Sequence, residues 1–241
     1  MQPESCERRH GKAIRWTKSD ASHLEVATMR IGIVGSGRMG GGLGRLWAHA
    51  GHEVMFSDVR GLEEMRALAE EVGHGARAGS IRETAAWCDI VLLATHWAQC
   101  KSALEECGSL EGKILIDIIN PVKPDFSDLE FGFTTSASEE IARLVPQARV
   151  VKALNTIPSP VLALEGCRVA GQKVSGFYCG DDGAAKQVVA QLVADAGFDP
   201  VDCGPLSSAR YLEALGMLLI RIVVTLKASP EIAFSLVRKV E

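Results

Sequence analysis

The residues with the clearest chemistry form one short run, Gly35-Ser36-Gly37-Arg38-Met39-Gly40, directly behind the apolar segment that starts at Met29. Placed between a strand and a helix, G-x-G-x-x-G suits a dinucleotide: Gly35 permits the tight turn, Gly37 lets backbone approach a pyrophosphate, and Gly40 lets helix and strand pack closely. Unpaired amides at such a helix start point outward, and the helix dipole favours a nearby negative group by about 0.3 to 2 kcal/mol. Ser36, Arg38 and Met39 join the three glycines as candidate cofactor contacts. Gly41, Gly42 and Gly44 continue the run into the helix, where each glycine costs about 1 kcal/mol relative to alanine; they read as close-contact positions against the sheet or a ligand, or as simply tolerated helix glycines.

A second candidate group, Ser57-Asp58-Val59-Arg60, begins at the end of the next strand, with its carboxylate eighteen residues beyond Gly40. Asp58 stands where a carboxylate accepts hydrogen bonds from an adenosine ribose and repels a 2′-phosphate, whereas Ser57 and Arg60 can bind that phosphate. Taken alone, Asp58 favours NAD. Further along, Thr95-His96-Trp97 follows the fourth strand and is expected beside the nicotinamide ribose. His96 reads as a ligand contact or proton relay, or as a solvent-facing loop histidine; Trp97 reads as a wall of the cleft or plain packing. Asn120 and Asn155 lie at strand ends with prolines one and three residues on, and serve either as turn formers or as hydrogen-bond partners of a carboxamide or ribose. No catalytic triad or paired carboxylates stand out. Neither Tyr178 nor Tyr211 has a lysine four residues on, which argues against a short-chain dehydrogenase.

The elements that must position these residues alternate in type. After the strand at Met29 come a helix (39–50), a strand (53–57), a helix (62–72), a short strand near Ala76, a helix (81–87) and a strand (89–94). A helix (98–107), a strand (113–119), a loop around 122–128, a helix (138–144) and a strand (149–153) follow. Alternation with short connections implies right-handed crossovers and a doubly wound, Rossmann-like α/β parallel sheet with helices on both faces. Beyond residue 156 the pattern predicts strands at 175–179 and 200–203 with a helix (184–196) between them, a long helix from about Ser207 to Lys227, and a short helix capped by Ser229-Pro230 and running to Val237. The expected organisation is an extension over 1–28, either a disordered tail or an upstream translation start, a dinucleotide-binding domain over 29–155, and a small α/β domain over 156–241.

Composition sets the outer limits. The 241 residues carry a net charge of −4, with 47% hydrophobic and 23% charged residues, so nothing draws the chain to nucleic acid or an anionic membrane surface. Seven cysteines without a C-x-x-C pair or zinc spacing fit a reducing, cytoplasmic setting and predict no metal site. The apolar run 214–226 is broken by Arg221 and falls short of the ~20 residues that cross a bilayer; burial against the first domain or in a homodimer is expected instead.

Several separated segments resemble one family, the coenzyme F420 (deazaflavin)-dependent NADP oxidoreductases. They are the glycine loop, Gly51-His52-Glu53-Val54, 116–121 (IDIINP), 151–158 (VKALNTIP) and, most specific, 203–210 (CGPLSSAR) followed by 212–215 (LEAL). The chain is also similar to the cytosolic reductase domain of six-transmembrane metalloreductases. The resemblance implies NADP as cofactor, with NAD kept open by Asp58, and a deazaflavin or flavin as second cofactor or small-molecule hydride acceptor. It further implies that Asn155 and Thr156 contact the cofactor, and that Ile157, Pro158, Ser207, Ser208 and Arg210 hold the acceptor, although Ser207 also reads as a helix cap. At Asp58 and Val59 the sequence departs from the serine and arginine pair that the family tends to carry. Hydride transfer between a nicotinamide and a flavin-like ring needs stacked rings with reacting carbons roughly 3 to 3.5 Å apart, so no proton-transfer residue is required. Two other readings stay open: a 3-hydroxyacid or pyrroline-carboxylate type dehydrogenase, and a dinucleotide-sensing module without turnover.

Overall fold

Runs of β-branched and aliphatic residues short enough to be strands, broken by glycine and polar turns, set the architecture. The computed structural model describes residues 28–237. Among these described residues ten strands form: β1 (Arg30–Val34), β2 (Glu53–Ser57), β3 (Arg77–Ala78), β4 (Ile90–Leu93), β5 (Ile114–Asp117), β6 (Arg149–Ala153), β7 (Arg168–Val169), β8 (Gln172–Lys173), β9 (Ser175–Gly180) and β10 (Asp199–Asp202). Eight of them make one sheet in the order β10-β9-β6-β5-β4-β1-β2-β3, and β7 and β8 form a separate small hairpin. The order reverses between β1 and β4, which opens a crevice at the carboxyl ends of those strands. Neighbours are parallel except at β6 and β9, which run antiparallel.

The helices are α1 (Arg38–His49), α2 (Leu62–Val72), α3 (Ile81–Trp87), α4 (Trp97–Cys107), α5 (Ala137–Leu144), α6 (Gly183–Asp195) and α7 (Ala209–Ile220). Alternate strand residues feed two cores. Ile31, Ile33 and Leu92 pack with Leu43 and Trp47 of α1, Met65 of α2 and Leu192 of α6. On the other face Val34, Val91 and Leu93 pack with α3, α4 and α5 through Ala85, Leu104 and Ile141. Cysteines are part of these cores, and burial pushes the thiols of Cys100, Cys107 and Cys179 up to about 12, so they behave as small hydrophobes.

Two side chains bind α6 to the glycine-loop half. Trp47 Nε1 donates to the Leu192 carbonyl at 2.8 Å. His52 Nδ1 accepts from the Met29 amide at 3.3 Å, so its Nε2 is the atom that donates to Asp195 at 3.0 Å.

At the C-terminus a 3-10 turn (Leu206–Ser208), α7 and a π-helical turn (Arg221–Thr225) run on continuously, close to the long helix expected from the sequence. The short helix expected from Pro230 to Val237 does not form. Ser229 does accept the Glu231 amide in a cap-like bond, but the chain then finds partners in the neighbourhood of β9. The Ser175 amide donates to the Phe234 carbonyl, the Leu236 amide to the Ser175 hydroxyl, and the Ser235 hydroxyl to the Lys173 carbonyl. The extension over 1–28 lies outside the described residues, apart from Thr28.

The helix glycines are explained by contact. A Cβ on Gly44 would lie 2.4 and 2.8 Å from the Phe56 ring and 3.3 Å from Ile33. Overpacking of this kind costs about 1 to 3 kcal/mol, which exceeds the ~1 kcal/mol that alanine gains in helix propensity. Gly44→Ala is therefore expected to lower the urea unfolding midpoint. Gly183→Ala, in open space at the first turn of α6, is expected to leave it in place or raise it.

Candidate functional site

The turn from β1 into α1 is shaped by what its glycines lack. Gly35 has φ +94°, and a Cβ there would meet the Ala94 carbonyl oxygen at 2.7 Å; a Cβ on Gly40 would meet the Gly35 carbonyl oxygen at 2.0 Å. Gly37, the residue that caps α1 without a side chain, has nothing within 4 Å of its missing Cβ. The loop is thus pinned from behind at Gly35 and Gly40 and open at Gly37, a cradle that fits a pyrophosphate approaching backbone amides. Ser36 is buried, Met39 half-buried and Arg38 exposed at the first helical position.

The end of β2 closes one side of this loop. Ser57 is fully buried and donates its hydroxyl to the Ile33 carbonyl at 2.7 Å, while its own carbonyl takes the Gly35 amide (3.0 Å) and the Ser36 hydroxyl (3.1 Å). The Ser57 hydroxyl is consequently engaged inside the sheet. Asp58 Oδ2 accepts the Ser36 amide at 2.8 Å and Arg60 Nη2 at 3.0 Å; Oδ1 accepts the Arg60 amide at 3.1 Å and Arg60 Nε at 3.0 Å. Arg60 Nη2 also donates to the Ser36 carbonyl at 2.7 Å. Partial burial raises the Asp58 carboxyl, but the Arg60 guanidinium and the two amides outweigh it and leave the group below the usual carboxylate range.

At the end of β4, Thr95 Oγ1 is buried with no hydrogen-bond partner. His96 is exposed and starts α4 without a side-chain cap, and Trp97 packs edge-on against Phe131 with ring centroids 5.1 Å apart. The two asparagines meet each other: Asn155 Nδ2 donates to Asn120 Oδ1 (2.9 Å) and to the Leu212 carbonyl of α7 (2.7 Å), and Asn120 Nδ2 donates to the Asn155 carbonyl (2.8 Å). Gly216 of α7 lies so close that a Cβ would be 2.6 Å from Asn120 Oδ1. Asn155 Oδ1 remains buried and unpartnered, a second orphaned acceptor. Thr156 and Ile157 are buried and Pro158 half-buried where the chain turns away from β6.

Among the residues expected to hold an acceptor, Arg210 forms a bidentate pair with Glu139, Nε–Oε2 2.8 Å and Nη2–Oε1 2.6 Å, and this pairing holds the Glu139 carboxyl below its usual range. Ser207 is exposed and Ser208 half-buried, and neither hydroxyl caps α7. A concavity of about 390 Å³ lined by Arg66, Glu70 and Arg77, among others, contains none of the loop residues.

Sequence reasoning missed a buried ionic cluster beneath the asparagines. Lys152 Nζ, fully buried, lies 2.9 Å from Asp117 Oδ2 and 2.9 Å from Glu213 Oε1, and also donates to the Ile119 carbonyl. Asp117 further accepts the Ser138 hydroxyl (2.6 Å) and the Ile119 amide (2.8 Å). Glu213 accepts the Ala137 amide (3.0 Å) and the Ser138 amide (3.4 Å) at the start of α5. Burial works against the Lys152 charge, but Asp117 and Glu213 hold it on, and burial pushes the Glu213 carboxyl up despite Lys152. The available signal was a charge flanked by apolar residues in each of three segments, Asp117 in β5, Lys152 in β6 and Glu213 in α7.

The family described as NADP oxidoreductase, coenzyme F420-dependent, matches residues 30–121. A solved protein of Arthrobacter sp. FB24, described as a candidate F420-dependent NADP-reductase, superposes with TM-score 0.78 at 32% identity, covering 87% of this chain and 100% of that one. The chain belongs to the coenzyme F420-dependent NADP oxidoreductase family. Its fold is the doubly wound, Rossmann-like sheet of that family. The F420-dependent NADP reductase of Methanocaldococcus jannaschii is 28% identical over 58% of this chain and 64% of its own length. Metalloreductase STEAP3 of Rattus norvegicus is 30% identical over 86% of this chain, which spans 40% of that relative's length. Among the described residues no helix is long and apolar enough to cross a membrane, and no group of three or more His, Cys, Asp and Glu is arranged to hold a metal ion.

Breaking a buried ion pair by removing one partner costs roughly 3 to 5 kcal/mol. Burial already raises the Glu213 carboxyl and Lys152 works against that rise, so Lys152→Met lifts the folded pKa of Glu213 further above its unfolded value. Stability from such groups is present at low pH and lost as pH rises through the folded pKa. The stability gap between wild type and Lys152→Met in urea titrations is therefore expected to widen from pH 5 to pH 8.

Proposed function

We propose that this NADP oxidoreductase moves hydride between NADP(H) held on the glycine loop and a deazaflavin or flavin-type acceptor bound at the carboxyl edge of the sheet. The observation that carries the reading is the cradle itself: Gly35 and Gly40 pinned against β4 and the loop, and Gly37 open, at the point where strand order reverses. When bound, the nicotinamide supplies the hydride and this chain supplies position. The loop amides between Gly35 and Gly40 would hold the pyrophosphate, with Arg38 adding positive charge at the rim. Thr95 Oγ1 and Asn155 Oδ1, both buried and unpaired, are the atoms available to donors on the ribose and carboxamide. Asn120 holds Asn155 in place, and the Leu212 carbonyl of α7 takes the other Asn155 amide hydrogen. Since the step is a matter of proximity, the missing acid or base is no obstacle.

The acceptor side is read from α7 and the loop that faces it. Phe133 and Tyr211 are exposed and lie with ring centroids 6.2 Å apart beside the Arg210–Glu139 pair, an aromatic rim for a planar ring. Arg210 acts here as a strut, paired with Glu139 of α5 and donating Nη1 to the Phe133 carbonyl at 3.5 Å. A second reading, in which a flavin relays electrons to a metal ion, is favoured by the likeness to STEAP3 alone.

Incubation with NADPH and, separately, a deazaflavin, FAD, FMN and a ferric chelate is expected to show oxidation at the nicotinamide band with the deazaflavin or a flavin. Turnover only with the chelate in the presence of flavin would favour the metal-ion reading. Tight NADPH binding with no turnover on any acceptor would make the protein a sensor and sink the proposal.

A further inference from the structure

The acid at the end of β2 has no capacity left to read a ribose. A carboxylate offers about four lone-pair sites, and Asp58 fills all of them: the Ser36 amide and Arg60 Nη2 on one oxygen, the Arg60 amide and Arg60 Nε on the other. Three of the four partners come from Arg60, whose side chain folds back two residues and also reaches the Ser36 carbonyl in the glycine loop. For Asp58 to accept ribose hydroxyls, the guanidinium must leave. Once it leaves, its fork needs another oxyanion, because an arginine loses a bidentate, charge-assisted pair without one.

From this we infer that Asp58 is a positioning residue that parks the Arg60 guanidinium against the glycine loop, and that the 2′-phosphate of NADP draws that guanidinium off the carboxylate in an exchange of one anionic partner for another. The inference rests on the dinucleotide reading of the loop above and goes beyond it. With NADP the bidentate pair lost to Asp58 is replaced by one to a phosphate that carries up to two charges, and the vacated carboxylate sites become free for the ribose. With NAD there is no replacement, so either the pair breaks uncompensated or Asp58 stays filled. Discrimination thus arises from Arg60, and an acid that by position alone favours NAD becomes part of an NADP device. Half of the Arg60 side chain is exposed while the Asp58 side chain is nearly buried, so the arginine is the partner free to move.

Calorimetry on the full chain with NADP⁺, NAD⁺ and adenosine 2′,5′-bisphosphate tests the exchange. Wild type is expected to bind NADP⁺ at least tenfold more tightly than NAD⁺. Arg60→Ala is expected to weaken NADP⁺ and the bisphosphate at least tenfold while NAD⁺ tightens, as Asp58 becomes free. Arg60→Lys, which keeps the charge without the fork, should fall between. Asp58→Asn is expected to tighten NADP⁺ several-fold, since no carboxylate competes for the guanidinium. A tenfold loss of NAD⁺ affinity in Asp58→Asn would make Asp58 a ribose reader and overturn the inference, as would equal losses for both dinucleotides in Arg60→Ala. If the bisphosphate binds and Arg60→Ala abolishes it while no acceptor turns over, the exchange stands and the hydride-transfer reading falls. If wild type binds none of the three ligands, both fall.

Discussion

The close approach of Gly40 to the carbonyl of Gly35 is the constraint on which the glycine-loop half is built. Any side chain at either position would collide with backbone, at 2.0 Å in one case and 2.7 Å in the other. Backbone cannot yield as a rotamer can, so α1 is held against the ends of β1 and β4 at a single height. That height decides where the amides of the loop point and leaves the one free space at Gly37. The glycines deeper in α1 extend the same logic: Gly42 faces Leu162 in the 3-10 turn Ser159–Ala163 beyond β6, and Gly44 faces the Phe56 ring of β2, so the helix is seated between that turn and the sheet. The conformational cost of glycine in a helix is offset here by contact that no other residue permits.

The carboxyl edge is covered by a different physical means. α7 carries a strongly apolar sequence, yet what fixes it over the strand ends is polar: Glu213 on Lys152, the Leu212 carbonyl on Asn155, and Gly216 against Asn120. Hydrophobic packing alone is non-directional and would tolerate a helix that slides. A buried ammonium shared by carboxylates from β5 and α7 does not, since any displacement leaves charge unpaired at low dielectric. Glu213 also accepts the first amides of α5, so α5, α7, β5 and β6 are located by one cluster. The apolar cores give the fold its stability; this cluster fixes the register of the element that covers the candidate site.

Much of the fold was legible because its signals are local. The strand, turn and helix around residues 30–49 follow from glycine spacing and apolar runs, and the alternation through β6 follows from the same grammar. Features that depend on contacts between distant residues were not legible. The antiparallel join of β6 and β9 has no marker in either strand. The final segment carries a good cap at Ser229 and still stays non-helical, because Ser175 and Lys173 offer partners that the segment's own sequence does not reveal. The ionic cluster was half visible: parallel pairing of β5 with β6 sets Asp117 opposite Lys152, so a charge in each of two apolar strands pointed to the pair once their adjacency was known. Glu213, sixty-one residues further on, could be added only by the fold.

Asp58 shows why residue type at a motif position underdetermines chemistry. Position alone gave it a ribose to bind, and the carboxylate does sit at the expected strand end, bonded to the loop amide that such an acid would meet. What changes the meaning is a residue two places later, whose amide, Nε and Nη2 all converge on the same two oxygens. The relevant quantity is therefore the acceptor capacity left over after local bonds are satisfied, rather than the presence of an acid. The same count explains the asparagines. Asn155 spends its amide hydrogens on Asn120 and Leu212 and keeps one carbonyl oxygen, and Thr95 keeps its hydroxyl. Buried groups that remain unpaired are costly, typically about 1 to 3 kcal/mol each. Thr95 Oγ1 and Asn155 Oδ1 lie just beyond the carboxyl ends of β4 and β6, the sheet edge at which the proposed cofactor would supply the missing partners, whereas the orphaned Thr84 Oγ1 and Arg149 Nε lie elsewhere.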